Sequence, residues 1–252
     1  MAERQQPVPV TQRSRTAGPP PLKDALPRLA VLAAIWAVLA GLLLAAGEIV
    51  VHSAAITQFD QHTTRVVVSS RTAALSSVMK AVTWLGSWVA VLVAAAVIAV
   101  LVFTRRLPVL AAVVAVFAWA GEAGGVRIGK EVVMRHRPPE AIWLVRAHGW
   151  SFPSGHTASA CLVFTVLAMC VTALARHRAA RILGWLAAGL AIAATAFSRV
   201  ELGVHWLTDV IAGVVFTAVW LTAIAISLGG RLRPPEPAVD GASGPGADAG
   251  RG

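Results

Sequence analysis

Six stretches of this chain are apolar over about the 20 residues that an α-helix needs to cross a bilayer. They fall at about 29–51, 85–104, 107–127, 156–175, 181–198 and 206–228. Inside lipid every backbone N–H and C=O must be satisfied within the protein, and a run of this length does so as a helix. The expected fold class is therefore all-α, a polytopic membrane helical bundle with six transmembrane helices and both chain ends on one side. Composition agrees. The chain is 57% hydrophobic and 13% charged, against about a quarter charged in soluble domains.

The ends and loops set the organisation. Residues 1–27 carry Pro7, Pro9, Pro19, Pro20 and Pro21 among scattered arginines and read as a disordered cytoplasmic tail. The first apolar run starts late, is long and lacks a clear small-residue cleavage site, so it reads as a membrane helix rather than a signal peptide. Residues 28–229 form the expected membrane domain, and 230–252, rich in Pro, Gly and Ala, a second disordered cytoplasmic tail. The net charge of +10 does not point to nucleic acid, because the basic residues are split among short loops. Arg13, Arg15, Lys23 and Arg28 precede the first span, Arg105 and Arg106 separate the second and third, and Arg176, Arg178 and Arg181 separate the fourth and fifth. Arg231 and Arg233 follow the sixth. All of these lie on one side, assigned to the cytoplasm of a plasma (inner) membrane. Loops 52–84, 128–155 and 199–205 then face outward. Within the first, residues 59–86 are too polar to span, and their near-helical spacing suggests an extracytoplasmic interfacial segment, with Trp84 and Trp88 at headgroup level. Cys161 and Cys170 share one apolar run on opposite helix faces and read as unpaired core residues.

Three polar stretches lie at the outer ends of these spans. SFPSGHTAS, residues 151–159, opens the fourth. Pro153 ends what precedes it, Ser154 and Gly155 make a small turn, and His156 stands where a helix begins. A helix start of this kind leaves backbone N–H groups and a positive dipole end for an anion. KEVVMRHRPP, residues 130–139, holds Lys130 as a point charge and Arg137 as a planar fork, two ways to grip phosphate. Arg135 and His136 read as headgroup anchors, with Arg127, Glu131 and Arg135 at the i,i+4 spacing of a surface ladder. SRVELGVHWLTD, residues 198–209, sets Asp209 one turn after His205 on the same helix face, with Arg199 just before. A carboxylate there can fix the ring tautomer and leave the other nitrogen free as a nucleophile, or merely cap the helix. No Cys/His ligand spacing or carboxylate cluster suggests a metal.

In this order the three stretches resemble the signature of the type 2 phosphatidic acid phosphatase superfamily, which includes lipid phosphate phosphatases and vanadium haloperoxidases. KEVVMRHRP fits KxxxxxxRP, PSGH fits outright, and SRVELGVHWLTD fits SRxxxxxHxxxD. The resemblance covers roughly residues 50–228 and points to the integral-membrane bacterial branch. It implies that Lys130, Arg137 and Arg199 bind phosphoryl oxygens, with hydrogen bonds from Ser154 and Gly155. It further implies His156 as general acid, His205 as the nucleophile that forms a phosphohistidine, Asp209 as its orienter, and no cofactor or metal.

The expected activity is hydrolysis of a lipid phosphomonoester or pyrophosphate, such as undecaprenyl pyrophosphate, phosphatidic acid or phosphatidylglycerol phosphate. The motifs read the phosphate these lipids share and do not choose among them. Two rivals use the same cradle: a vanadate-dependent haloperoxidase and a non-catalytic lipid-phosphate binding or transport protein. The expected partners are the lipid substrate and the bilayer, with no nucleic acid. Oligomeric state is not legible, nor are the roles of Glu48 and Glu122.

Overall fold

The computed structural model describes residues 22–228, with side chains from residue 26. Eight α-helices account for most of it: α1 (Leu22–His52), α2 (Ala54–Ser69), α3 (Ala73–Val82), α4 (Trp88–Phe103), α5 (Val109–Val133), α6 (Gly155–Leu174), α7 (Arg178–Glu201) and α8 (Leu207–Leu228). Five of them are long and apolar enough to span a membrane. The sixth span is α4, with α3 and a short 3-10 turn bent from it by 48°. These are the six expected spans. Among the described residues there is no strand, and the chain is a multi-pass helical membrane protein. The first boundary moves: α1 begins at Leu22 and runs through Pro27, inside the segment expected to be tail. The remainder of the two expected tails, 1–21 and 230–252, lies outside the described residues, as does residue 229.

The lateral surface has lipid chemistry. Only 11% of the apolar window of α7 and 17% of those of α1 and α5 is buried inside the protein. Phe103, Leu190 and Ile226 stand outward. A water-soluble protein rarely shows apolar patches of this extent. The buried centre lies between α1, α5, α6 and α8, where Leu32, Ala118, Leu162, Trp220, Leu221 and Ile224 cluster. Small residues let these helices close up. A Cβ on Gly125 would run into the ring of Phe216.

The expected interfacial segment is a pair of short helices rather than one. Ser53 caps α2, accepting from the Ile56 N–H at 3.4 Å. Thr72 caps α3, accepting from the Leu75 N–H at 3.1 Å, and between them the chain turns at Ser70 and Arg71. Arg71 donates to the backbone oxygens of Glu201 and Ile142, which ties the pair to the end of α7. Trp84 and Trp88 are exposed, as side chains at headgroup level would be. Glu48, near the end of α1, is exposed and pairs with His52 at 3.4 Å. Both cysteines are free.

Candidate active site

Consecutive spans run in opposite directions. The ends of α5 and α7 therefore meet the beginnings of α6 and α8 at one end of the bundle. Every residue singled out for phosphate chemistry comes from those four ends or the loops beside them.

His205 lies in the turn between α7 and α8, held by its N–H and that of Val204 on the Arg199 carbonyl at 3.3 and 3.2 Å. The turn needs Gly203, whose φ of +75° is strained for side-chain-bearing residues. The ring is fully enclosed. Its Nε2 stands 3.0 Å from Arg137 Nη1. A guanidinium can only donate, so Nε2 is the acceptor and a neutral ring carries its proton on Nδ1. Nδ1 lies 3.4 Å from both Asp209 Oδ2 and Ser151 Oγ. This is the tautomer a nucleophilic Nε2 requires. Asp209 also caps α8, where its Oδ2 accepts from the Trp206 N–H at 2.9 Å. The two readings of this pair, orienter and cap, coexist.

Burial pushes His205 down to about 3, with Asp209 acting in the opposite direction. The native ring therefore stays neutral as the medium is acidified through the ordinary imidazole range. We expect the ring nitrogen NMR signals of His205 to hold still as pH falls past 6.5 and to move only as it nears 3. The unfolded ring does take the proton in that window. Stability is therefore lost, not gained, as pH falls through it.

Lys130 and Arg137 converge on one acceptor. The Trp150 carbonyl takes the Lys130 ammonium at 2.6 Å and an Arg137 N–H at 3.2 Å. Arg137 also donates to the carbonyls of His148, Gly149 and Val204. Arg199 is buried and donates to Thr83 Oγ1 at 2.6 Å. Its Nε has no partner among the described residues. His156, the second residue of α6, is half-buried. It lies within electrostatic reach of Lys130, Arg137 and Arg199. The structure therefore gathers Lys130, Arg137, His156, Arg199, His205 and Asp209 at one place.

Ser154 behaves differently from expectation. It is wholly buried, its hydroxyl stands 3.0 Å from Thr157 Oγ1, and its N–H donates to the Asp209 carbonyl at 2.9 Å. The N–H groups of Gly155, His156 and Thr157 are the ones that meet no acceptor among the described residues. The helix start thus offers an anion its backbone, while Ser154 joins α6 to α8.

From this end a cavity of about 650 Å³ runs down between α4, α5 and α6. Lys130 and His156 line its top, Glu122 and Ser159 lie deeper, and the exposed rings of Trp88 and Trp119 stand along it.

Residues 110–233 match the family described as the PAP2 superfamily. That match, over just under half of the chain, takes in all three motifs, and the chain is similar to the PAP2 superfamily. Phosphatidylglycerophosphatase B of Bacillus subtilis (strain 168) is 36% identical over 91 residues, which span 34% of this chain and 43% of that protein. The crystal structure of a transmembrane PAP2 type phosphatidylglycerolphosphate phosphatase from Bacillus subtilis superposes with a TM-score of 0.64 at 25% identity, over 78% of this chain and 93% of that one.

Three residues around Asp209 are not legible in the sequence. Arg135 is not a headgroup anchor. Helix α5 ends at Val133, and Met134, left-handed at φ 46°, turns the chain inward. Arg135 therefore leaves the expected ladder and is 7% exposed. It donates to Asp209 Oδ1 at 2.6 Å and, with its other terminal nitrogen, to Asp60 Oδ2 at 2.7 Å. Asp60, buried in α2, also accepts from the Thr208 N–H at 3.1 Å. Ser151 donates to Asp209 Oδ2. One signal is present in the sequence: Asp60 is the only acidic residue between 53 and 86.

Proposed function

We propose that this chain is a PAP2 protein and a metal-independent membrane phosphatase, which hydrolyses a lipid phosphomonoester or pyrophosphate through a phosphohistidine. The observation that carries the reading is the His205 ring, neutral, with Nδ1 towards Asp209 and the Nε2 lone pair towards Arg137 at 3.0 Å. A protein that only binds phosphate needs the cations and has no use for an oriented neutral imidazole.

The phosphoryl group lies between Arg137, Lys130, Arg199 and the free N–H groups of α6, with Gly155 among them and Ser154 holding the turn. Nε2 of His205 attacks phosphorus as the bond to the leaving oxygen breaks. His156 gives that oxygen its proton. Water then attacks the phosphohistidine, His156 takes the water proton, the P–N bond breaks and inorganic phosphate leaves. The cations act on charge that spreads over the phosphoryl oxygens in the transition state. The acyl or prenyl tail occupies the cavity between α4, α5 and α6 and continues into the bilayer.

The basic residues of the 104–108 and 175–177 connections and of the expected tails favour termini in the cytoplasm and a site facing outward from a plasma membrane. Residues 28–229 then act as one catalytic membrane unit. Both relatives are named for phosphatidylglycerophosphate, which supports that lipid as the first substrate to try. In sealed vesicles of known orientation with chelator present, outer-leaflet lipid phosphate is expected to release phosphate. Release only after metal is added, or only from the inner leaflet, contradicts the mechanism or the orientation respectively.

A further inference from the structure

Glu122 sits near the middle of α5, about two turns before Lys130, and is 2% exposed. An ionisable side chain at that depth in a membrane span is costly and persists where it has a partner or a role. Its partnering is thin. Ser159 Oγ donates to Oε1 at a long 3.4 Å, and no cation pairs with the carboxyl among the described residues. Nothing in the phosphoryl chemistry above uses it.

Its position is specific. A Cβ on Gly155 would stand 3.5 Å from Val126, so the first turn of α6 lies beside Val126. One turn deeper on both helices brings Ser159 opposite Glu122. Both line the cavity that holds Lys130 and His156 at its top. A lipid whose phosphate is held there presents the next few bonds of its backbone to this pair. In a glycerol-based lipid phosphate with a free backbone hydroxyl, those bonds carry an O–H that can donate to the carboxyl. In a polyprenyl phosphate they are hydrocarbon, and the carboxyl would be covered with nothing to bond.

Resting on the phosphatase reading, we infer that Glu122 and Ser159 make the groove selective for lipid phosphates whose backbone carries a free hydroxyl near the phosphate over polyprenyl phosphates. The carboxyl supplies an acceptor, with the Ser159 hydroxyl beside it, at the level where such a hydroxyl falls, and a chain without one leaves the carboxyl unpaired. Glu122 is a specificity residue and takes no part in proton transfer at phosphorus.

The test compares kcat/KM for lysophosphatidic acid, which carries a free backbone hydroxyl, farnesyl phosphate, and p-nitrophenyl phosphate, which has no chain to reach the pair. Wild type prefers the glycerolipid. Glu122→Leu is expected to lower the glycerolipid-to-prenyl ratio about tenfold, the scale of one buried polar group left unmatched, while p-nitrophenyl phosphate turnover holds. Glu122→Gln, which keeps a hydrogen-bonding head, should restore most of the ratio. Ser159→Ala should lower it in the same direction, so the inference stays open to refutation if the leucine variant misfolds. An unchanged ratio, or an equal fall on all three substrates, overturns it. Wild type that releases phosphate from none of them overturns the phosphatase reading instead.

Discussion

Replacing His205 with alanine should lower phosphate release by about 10⁴-fold or more, the scale seen when a covalent nucleophile is removed from a site that otherwise stays assembled. The size of the effect follows from what remains. Arg137 keeps its carbonyl partners at 148, 149 and 204, and Lys130 keeps Trp150. Binding should survive, and the loss should fall on kcat. A second readout separates this from a general weakening. Labelled lipid phosphate quenched in alkali, where phosphohistidine survives, should mark wild-type protein and leave His205→Ala unmarked. Near-wild-type turnover in the variant removes His205 from the reaction.

The second large effect is expected at Arg135. Its guanidinium bridges Asp60 and Asp209, which are 1% and 0% exposed. Arg135→Met deletes the cation and leaves two carboxylates buried without it. Breaking a buried pair in this way costs about 3–5 kcal/mol, read as a fall in thermal stability in detergent. Activity should fall further than stability alone explains, because Asp209 then loses the contact that aims its Oδ1 away from His205. Arg135→Lys keeps charge but cannot reach both acids through two separate nitrogens, and should recover stability only in part. Adding Asp60→Asn to Arg135→Met should cost less than the sum of the two single changes, because the amide no longer needs the cation. Strict additivity would show that the bridge carries no coupling.

These residues mark the limit of what is legible in the sequence. The spans are readable because a helix in lipid satisfies its own backbone, so length and apolarity decide it locally. The order KxxxxxxRP, PSGH, SRxxxxxHxxxD names Lys130, Arg137, His156, Arg199, His205 and Asp209, and the fold brings all six together. The family resemblance implies Ser154 as a phosphate ligand. Its hydroxyl instead turns to Thr157, and its N–H to the Asp209 carbonyl. Arg135 reads as surface because i,i+4 spacing presumes that the helix continues, and it does not pass Val133. No window of sequence shows that a left-handed residue at 134 will redirect the next side chain into the core.

The chain's letters alone determined that it is a bundle of membrane helices and which polar side chains crowd one end of it. Both depend on interactions within a few residues: a helix's own hydrogen bonds, and the alternation that returns successive span ends to the same face. Only the tertiary structure decided how those side chains divide their work. The bridge from Asp60 through Arg135 to Asp209 joins residues about 75 apart in the chain, and the Glu122–Ser159 pair faces across a groove between two helices. Such contacts arise from packing geometry, which fixes distance in space without leaving a period or a spacing in the sequence.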